Sequence, residues 1–257
     1  ADLHAAEAGI ALATGMAAIH AGFLSLLRAG DRVLIGTVGY GTTRSQALAA
    51  YGRLGIEISC VDTTDTAAVD AALAAAPTRI LHVETIANPT CVVADIPALA
   101  AAAHRHGALL TVDNTFASPM VCRPLEHGAD LVMESATKYL SGHSDVMAGA
   151  VVGSRERIGA VRSAQIDTGA TLGPFAAFLV LRGIATEAVR MERQARTAMA
   201  LATYLERQDG VRTVTYPGLP SHPQADAAAR ILDTGGAMLC VDLAGGREAG
   251  RAFFDAL

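Results

Sequence analysis

The chain has 257 residues, 51% of them hydrophobic and 18% charged, with a formal net charge of −5. This is a core-forming composition, far from that of disordered chains, and enough for one large domain or roughly one and a half ordinary ones. The acidic balance and the lack of any Lys/Arg cluster exclude a nucleic-acid-binding face, and no apolar run reaches the roughly 18 residues of a membrane span.

In chain order, TGMAAIHAGFLSLLRAG (14–30) places apolar side chains at helical spacing and stops at Gly30. RVLIG (32–36) is an apolar run suited to a buried strand. TRSQALAAYGRLG (43–55) reads as a helix and IEISCV (56–61) as a strand. Asp65 opens a helix that ends before Pro77, and RILHVE (79–84) is the next strand. Asp95 caps a helix with Pro97 in its first turn and Gly107 past its end. ALLTVD (108–113), DLVMES (130–135) and MAGAVVG (147–153) read as further strands. A long helical stretch then runs from about 174 to 208 with a bend expected at Gly183, followed by the strand VRTVTY, a turn at PGLPSHP, a helix, the strand AMLCVDL and a last helical start.

Strands that alternate with helices and carry near-continuous apolar runs predict an α/β fold with a mostly parallel sheet covered on both faces. The change of pattern after 174 predicts a division near 188 between a large domain and part of a smaller one. The chain begins in helical pattern and ends in AGRAFFDAL, which reads like the middle of a helix, so both ends are expected to be cut. Cys60, Cys91, Cys122 and Cys240 lie far apart with no CxxC pair, and no leader segment is visible. They read as reduced packing thiols of a cytoplasmic protein.

One residue stands out by count. Of the 20 basic residues, 19 are arginine and one is lysine, Lys138. A guanidinium stays protonated, whereas an amine can lose its proton and form a Schiff base with a carbonyl. Ligands of open parallel sheets bind beyond the C-terminal strand ends. There the sequence places Tyr40 after 32–36, Glu84 and Asn88 after 79–84, Asp113 and Asn114 after 108–113, and Ser135, Thr137 and Lys138 after 130–135. The helix starting at Gly15 and Met16 adds backbone N–H groups that favour an anion. An amine for an aldehyde, hydroxyls and N–H groups for a phosphate, a carboxylate for a ring nitrogen and a phenol to stack on a flat heterocycle fit pyridoxal 5′-phosphate (PLP). GTVGYG (36–41) follows a strand, but its order is G-x-x-G-x-G rather than the dinucleotide G-x-G-x-x-G, which counts against a nicotinamide oxidoreductase. HRH (104–106) lacks metal-ligand spacing and suits a helix C-terminus. His143 and Asp145 are expected to organise the loop after the lysine.

TGMAAI, YGTT, ETIANPT, VDNTFASP, SATKYLSGHSDVMAG and YPGLPSHP, in this order along the chain, resemble the Cys/Met-metabolism (trans-sulfuration) family of PLP-dependent enzymes. The resemblance implies the fold-type I PLP-dependent transferase large domain, a mostly parallel seven-stranded sheet between helices, over residues 1–188. It implies the start of a smaller α/β C-terminal domain over 189–257. It makes Lys138 the lysine that holds the cofactor and Tyr40 both a stacking ring and an acid or base. Gly15, Met16, Ser135 and Thr137 would bind phosphate, Asp113 would pair with the ring nitrogen, Asn88 would lie near the ring hydroxyl and Glu84 would support that loop. No metal is implied. The implied reaction is γ-elimination or γ-replacement on a sulfur amino acid or O-acylhomoserine, of cystathionine γ-lyase or γ-synthase type, with O-acylhomoserine sulfhydrylase or methionine γ-lyase as alternatives within the family. The implied assembly is a homo-oligomer, dimer or tetramer, with sites shared between subunits. A chain that holds the cofactor without turnover is a third reading. The N-terminal arm and the substrate-carboxylate arginine of the family are expected to lie outside these residues. Thr14 stands where serine is more usual and Glu134 where histidine is common. Thr42 stands where methionine γ-lyases have cysteine, which counts against that member.

Overall fold

The computed structural model describes residues 1–256. Seven short, largely apolar segments pair into one sheet: β1 (Ala8–Leu12), β2 (Arg32–Gly36), β3 (Glu57–Val61), β4 (Ile80–Glu84), β5 (Leu109–Asp113), β6 (Leu131–Glu134) and β7 (Gly149–Gly153). Their order across the sheet is β1-β7-β6-β5-β4-β2-β3. β3, β2, β4, β5 and β6 run parallel, and β7 is antiparallel to both of its neighbours. β4, β5 and β6 are buried almost throughout, as strands without polar alternation must be when helices cover both faces.

The helices are α1 (Gly15–Leu26), α2 (Gly41–Gln46), α3 (Thr66–Ala75), α4 (Ile96–Arg105), α5 (Arg155–Thr168), α6 (Pro174–Ile184), α7 (Glu187–Leu205), α8 (Ala225–Ile231) and α9 (Gly246–Asp255). Successive strand side chains point to opposite faces, so Val33 and Ile35 join one core with Phe23 and Val161, from α1 and α5. Leu34 joins the other with Leu73, Leu99 and Ala103, from α3 and α4. Side-chain oxygens of Thr14, Asp65, Asp95 and Ser154 cap four of these helices by accepting from the N–H three residues on. Beyond α7, β8 (Val211–Thr215) and β9 (Cys240–Leu243) form an antiparallel pair.

Three segments depart from the sequence reading. The helical onset expected at the start of the chain is strand β1, because Ala8–Leu12 pairs with Gly149–Gly153 and edge pairing overrides alanine's helix preference. The helix expected over 43–55 is α2 followed by a π-helical turn at Ala47–Tyr51 and a 3-10 turn at Gly52–Leu54. The buried Tyr51 there reaches His20 Nδ1 at 2.6 Å and packs against Phe23. The bend expected at Gly183 lies at Ala185–Thr186, between α6 and α7. Gly183 serves close approach instead: a Cβ there would stand 2.0 Å from the Ser141 carbonyl oxygen. Residue 188 falls in the first turn of α7, whose Met191 joins the main core while Ala198, Ala202 and Leu205 join a small cluster with Val214 and Tyr216. Among the described residues no helix is long and apolar enough to cross a membrane.

Candidate active site

Parallel strands deliver the residues after them to one edge of the sheet. There the loops after β2, β4, β5 and β6 and the N-terminus of α1 enclose a cavity of about 1030 Å³. Its wall contains nine of the residues singled out in the sequence: Gly15, Met16, Tyr40, Glu84, Asn88, Asp113, Ser135, Thr137 and Lys138.

Lys138 sits in a tight turn directly after β6. Its N–H donates to the Ser135 carbonyl at 3.0 Å and its carbonyl accepts from Gly142 N–H at 2.8 Å. The Ser141 hydroxyl donates to the Thr137 carbonyl at 2.9 Å. The side chain of Lys138 itself is exposed towards the cavity. Thr137 spends its hydroxyl on the Ala148 backbone, donating to the carbonyl at 3.1 Å and accepting from N–H at 3.0 Å, so it locks the turn as well as lining the cavity.

Gly15 opens α1 against Ser135. A Cβ at residue 15 would come 2.7 Å from Ser135 Cβ and 2.8 Å from its hydroxyl oxygen. Thr14 Oγ1 takes the Ala17 N–H at 3.0 Å. The N–H groups of Gly15 and Met16 are left as the unpaired donors every helix start carries.

Glu84 and Asp113 end adjacent strands at register-paired positions. Glu84 accepts from Asn88 N–H at 2.8 Å and from Tyr40 N–H, and so ties two cavity loops to β4. Burial pushes its carboxyl well above the usual range, the Asp113 charge adds to this, and these two N–H groups oppose it. Burial also raises Asp113. Hydrogen bonding by Thr115, whose N–H lies 2.9 Å from Oδ1, pulls it back, and the charge of Glu134 pushes it further up. Among the described residues no cation pairs with Asp113. Thr115 also accepts from Ser135 N–H at 2.8 Å, joining the ends of β5 and β6.

Asn114 points away from the cavity and into a buried network with Thr85, Glu134 and the Cys122 carbonyl. His143 accompanies the lysine turn through a 2.6 Å contact with the Ser141 carbonyl, and Asp145, on the cavity wall, pairs with Arg182 at 2.5 Å. His104, Arg105 and His106 pair with Asp130 and Asp70 at the end of α4. Among the described residues no group of His, Cys, Asp and Glu could hold a metal ion. Among the wall residues not picked out from the sequence, two are polar groups of note. Thr115 lies inside VDNTF, one residue beyond those picked out, and Arg190 reaches the cavity from α7, which no local pattern announces.

The family model for Cys/Met metabolism PLP-dependent enzymes matches residues 1–257. The chain belongs to this family. Among its relatives, the L-methionine γ-lyase of Pseudomonas putida is 45% identical over 259 residues, covering 100% of this chain and 65% of the relative. The O-succinylhomoserine sulfhydrylase of Pseudomonas aeruginosa is 43% identical over 256 residues, covering 100% of this chain and 63% of the relative. Among solved structures, cystathionine γ-synthase from Xanthomonas oryzae pv. oryzae, in complex with aminoacrylate and cysteine, superposes with a TM-score of 0.96 at 36% identity, over 100% of this chain and 66% of that one. The chain thus spans about 65% of the length of the curated relatives it matches.

Proposed function

We propose that the protein is a PLP-dependent enzyme that acts at the γ-carbon of a sulfur amino acid or an O-acylhomoserine by γ-elimination or γ-replacement. The observation that carries this reading is the chain's one lysine, placed in the same cavity as a buried carboxylate that lacks a cation and a glycine-opened helix N-terminus. The cavity fits the cofactor on its own terms. The space beside Ser135 exists because residue 15 has no Cβ, and N–H groups and a hydroxyl converge there for a phosphate. Asp113 is a carboxylate whose burial a protonated ring nitrogen would relieve.

When bound, PLP supplies an electron sink for charge that develops on the substrate's carbon atoms. Lys138 would hold its aldehyde end and would serve as the base that takes a proton from the substrate α-carbon. Gly15, Met16, Ser135 and Thr137 hold the phosphate, the last by turning its hydroxyl from Ala148. Asp113 would keep a proton on the ring nitrogen and Asn88 would face the ring hydroxyl, while Glu84 fixes the loops carrying Asn88 and Tyr40. Tyr40 covers the ring and serves as acid or base near the γ-substituent.

Residues 1–188 act in this reading as the PLP-binding domain and 189–257 belong to a smaller C-terminal domain. The protein works in the cytoplasm as a dimer or tetramer with sites shared between subunits, an assembly supported by the exposed Phe175, Phe178 and Leu181 of α6. The methionine γ-lyase relatives favour elimination from methionine, and Thr42 favours the other substrates.

Borohydride treatment of the PLP-loaded protein, followed by peptide mass mapping, is expected to place the added mass on the peptide containing Lys138. Label elsewhere, or none with cofactor supplied, overturns the reading. Release of a 2-oxo acid from methionine or cystathionine, set against consumption of O-acylhomoserine with cysteine, then assigns the reaction.

A further inference from the structure

The turn YPGLPSHP stands out in the sequence, yet none of its residues lies on the cavity wall. It is built as a rigid strap. Tyr216 is 1% exposed, and its hydroxyl lies 3.0 Å from the Gly236 carbonyl and 3.2 Å from that of Ala195 in α7. Successive backbone hydrogen bonds then fold the strap tightly. Leu219 N–H donates to the Tyr216 carbonyl, His222 N–H to that of Leu219 and Ala225 N–H to that of His222. His222, towards the far end of the strap, is 3% exposed.

What His222 meets is the loop between β4 and α4. That loop is closed on itself: Ala87 N–H donates to the Val92 carbonyl at 2.9 Å, and Cys91 N–H to the Ala87 carbonyl at 2.8 Å. Asn88 lies within the closed part and on the cavity wall. Glu84 holds the loop at Asn88 by taking its N–H. His222 holds it at Cys91, with Nε2 standing 3.0 Å from the Cys91 carbonyl. The tautomer follows from the neighbours. Nδ1 takes the Gln224 N–H at 3.1 Å and so carries no proton, which leaves Nε2 to donate. Cys91 has a φ of 59°, a left-handed conformation that residues other than glycine seldom adopt unless their surroundings impose it. The bond from His222 falls on this residue. Gln224 Oε1 adds a second tie by accepting from Val93 N–H at 3.4 Å, and Arg230 a third by pairing with Asp95 at 2.5 Å.

We propose that His222 is a positioning residue for the cofactor site: by donating to the Cys91 carbonyl it latches the loop that carries Asn88, so the strap after α7 sets where Asn88 stands beside the cofactor's ring hydroxyl. A loop tied across at Ala87, Cys91 and Val92 turns as one piece, and losing the hold on Cys91 therefore moves Asn88. The consequence for the cofactor rests on the PLP reading above; the latch itself does not.

Asparagine and glutamine separate the two nitrogens of the histidine. H222N keeps an acceptor for Gln224 N–H but stops short of Cys91, whereas H222Q returns a donor to the position of Nε2. In the cofactor-free protein, amide hydrogen exchange at Ala87 and Cys91 should be roughly fivefold or more faster in H222N than in wild type, and within about twofold of wild type in H222Q. Exchange in β5 should be unchanged in both. H222L, which fills the space without a donor, should behave like H222N and takes its place should H222N fail to fold. Wild-type protection of Ala87 and Cys91 in the variant that lacks the donor overturns the latch. In the PLP-loaded protein, the pH midpoint of the cofactor's absorbance change should rise by roughly half a pH unit or more in H222N, because an amide donor beside the ring hydroxyl favours its ionised form. H222Q should keep the wild-type midpoint, and in an N88A background H222N should add nothing further. A role confined to stability would lower the melting temperature and leave the midpoint alone. That outcome, or a full shift that persists with N88A, overturns the positioning role. Failure of wild type to bind PLP would instead sink the cofactor reading and leave the exchange result standing.

Discussion

Asp113 illustrates how a single residue can be costly to the fold and still be selected for chemistry. It is buried, its neighbours Glu84 and Glu134 are acids, and its one relief is hydrogen bonding from Thr115. Replacing it with Asn keeps the shape and the Thr115 bond, and supplies an amide that can donate to Glu84. D113N is therefore expected to melt at a higher temperature than wild type in the cofactor-free state above pH 7. Turnover should fall by about 10²-fold or more, because an amide cannot keep a ring nitrogen protonated. Parallel thermal melts and rate assays check this. A variant with unchanged turnover would show that Asp113 holds no charge the reaction uses. Lys138 was readable for a related reason: beside 19 arginines, whose guanidinium stays protonated, it is the one side-chain amine able to form a Schiff base. The part played by His222 was not readable. Its meaning lies in its contact with the Cys91 carbonyl, separated by 131 positions, which no window of sequence contains.

At the level of elements, what local chemistry decides was legible. Thr14, Asp65 and Asp95 announce helix starts, and apolar runs announce β2, β4, β5 and β6. Because parallel strands share a direction, knowing the strand ends was enough to gather seven of the nine cavity residues, with Asn114 gathered alongside them but turned inward; Gly15 and Met16 came from the helix start. What pairing and packing decide was not legible: β1 exists through its partner β7, and the π-helical turn at 47–51 leads into the buried Tyr51. The contact of α1 with β6 belongs to this second kind and can be tested with glycines. G15A would drive its Cβ into Ser135, so α1 or the turn must shift. PLP affinity should fall tenfold or more, since overpacking of this sort costs about 1–3 kcal/mol. Gly159, inside α5 with nothing within 4 Å of an added Cβ, is the control. There alanine should stabilise by about 0.5–1 kcal/mol and leave PLP binding alone. Equal PLP affinity in G15A and wild type would count against the cradle at Ser135.

For the whole molecule, these buried acids predict how stability follows pH. A carboxyl raised in the folded state keeps its proton longer than in the unfolded chain. Its contribution is complete below the ordinary carboxylate range and is lost as pH rises through the folded value. Glu187 at about 7, with Glu84 and Asp113 both raised, all act in this sense. Buried histidines act oppositely. His82 is pushed down to about 4 by burial, and His20 and His222 are lowered too, so their contribution is lost as pH falls below their ordinary value of 6.5. The two trends oppose each other in mild acid, but above about pH 6.5 the histidines are neutral in both states and only the acids remain. The cofactor-free protein is therefore expected to lose several degrees in Tm between pH 6.5 and 8, as a loss of roughly a few kcal/mol implies for a chain of this size. E187Q should show a shallower slope, and bound PLP should flatten it further by giving Asp113 a cationic partner. Calorimetry across that window, with and without PLP, measures all three curves. A melting temperature that holds constant or rises through it would mean that the buried carboxylates are ionised and paired in the folded protein after all.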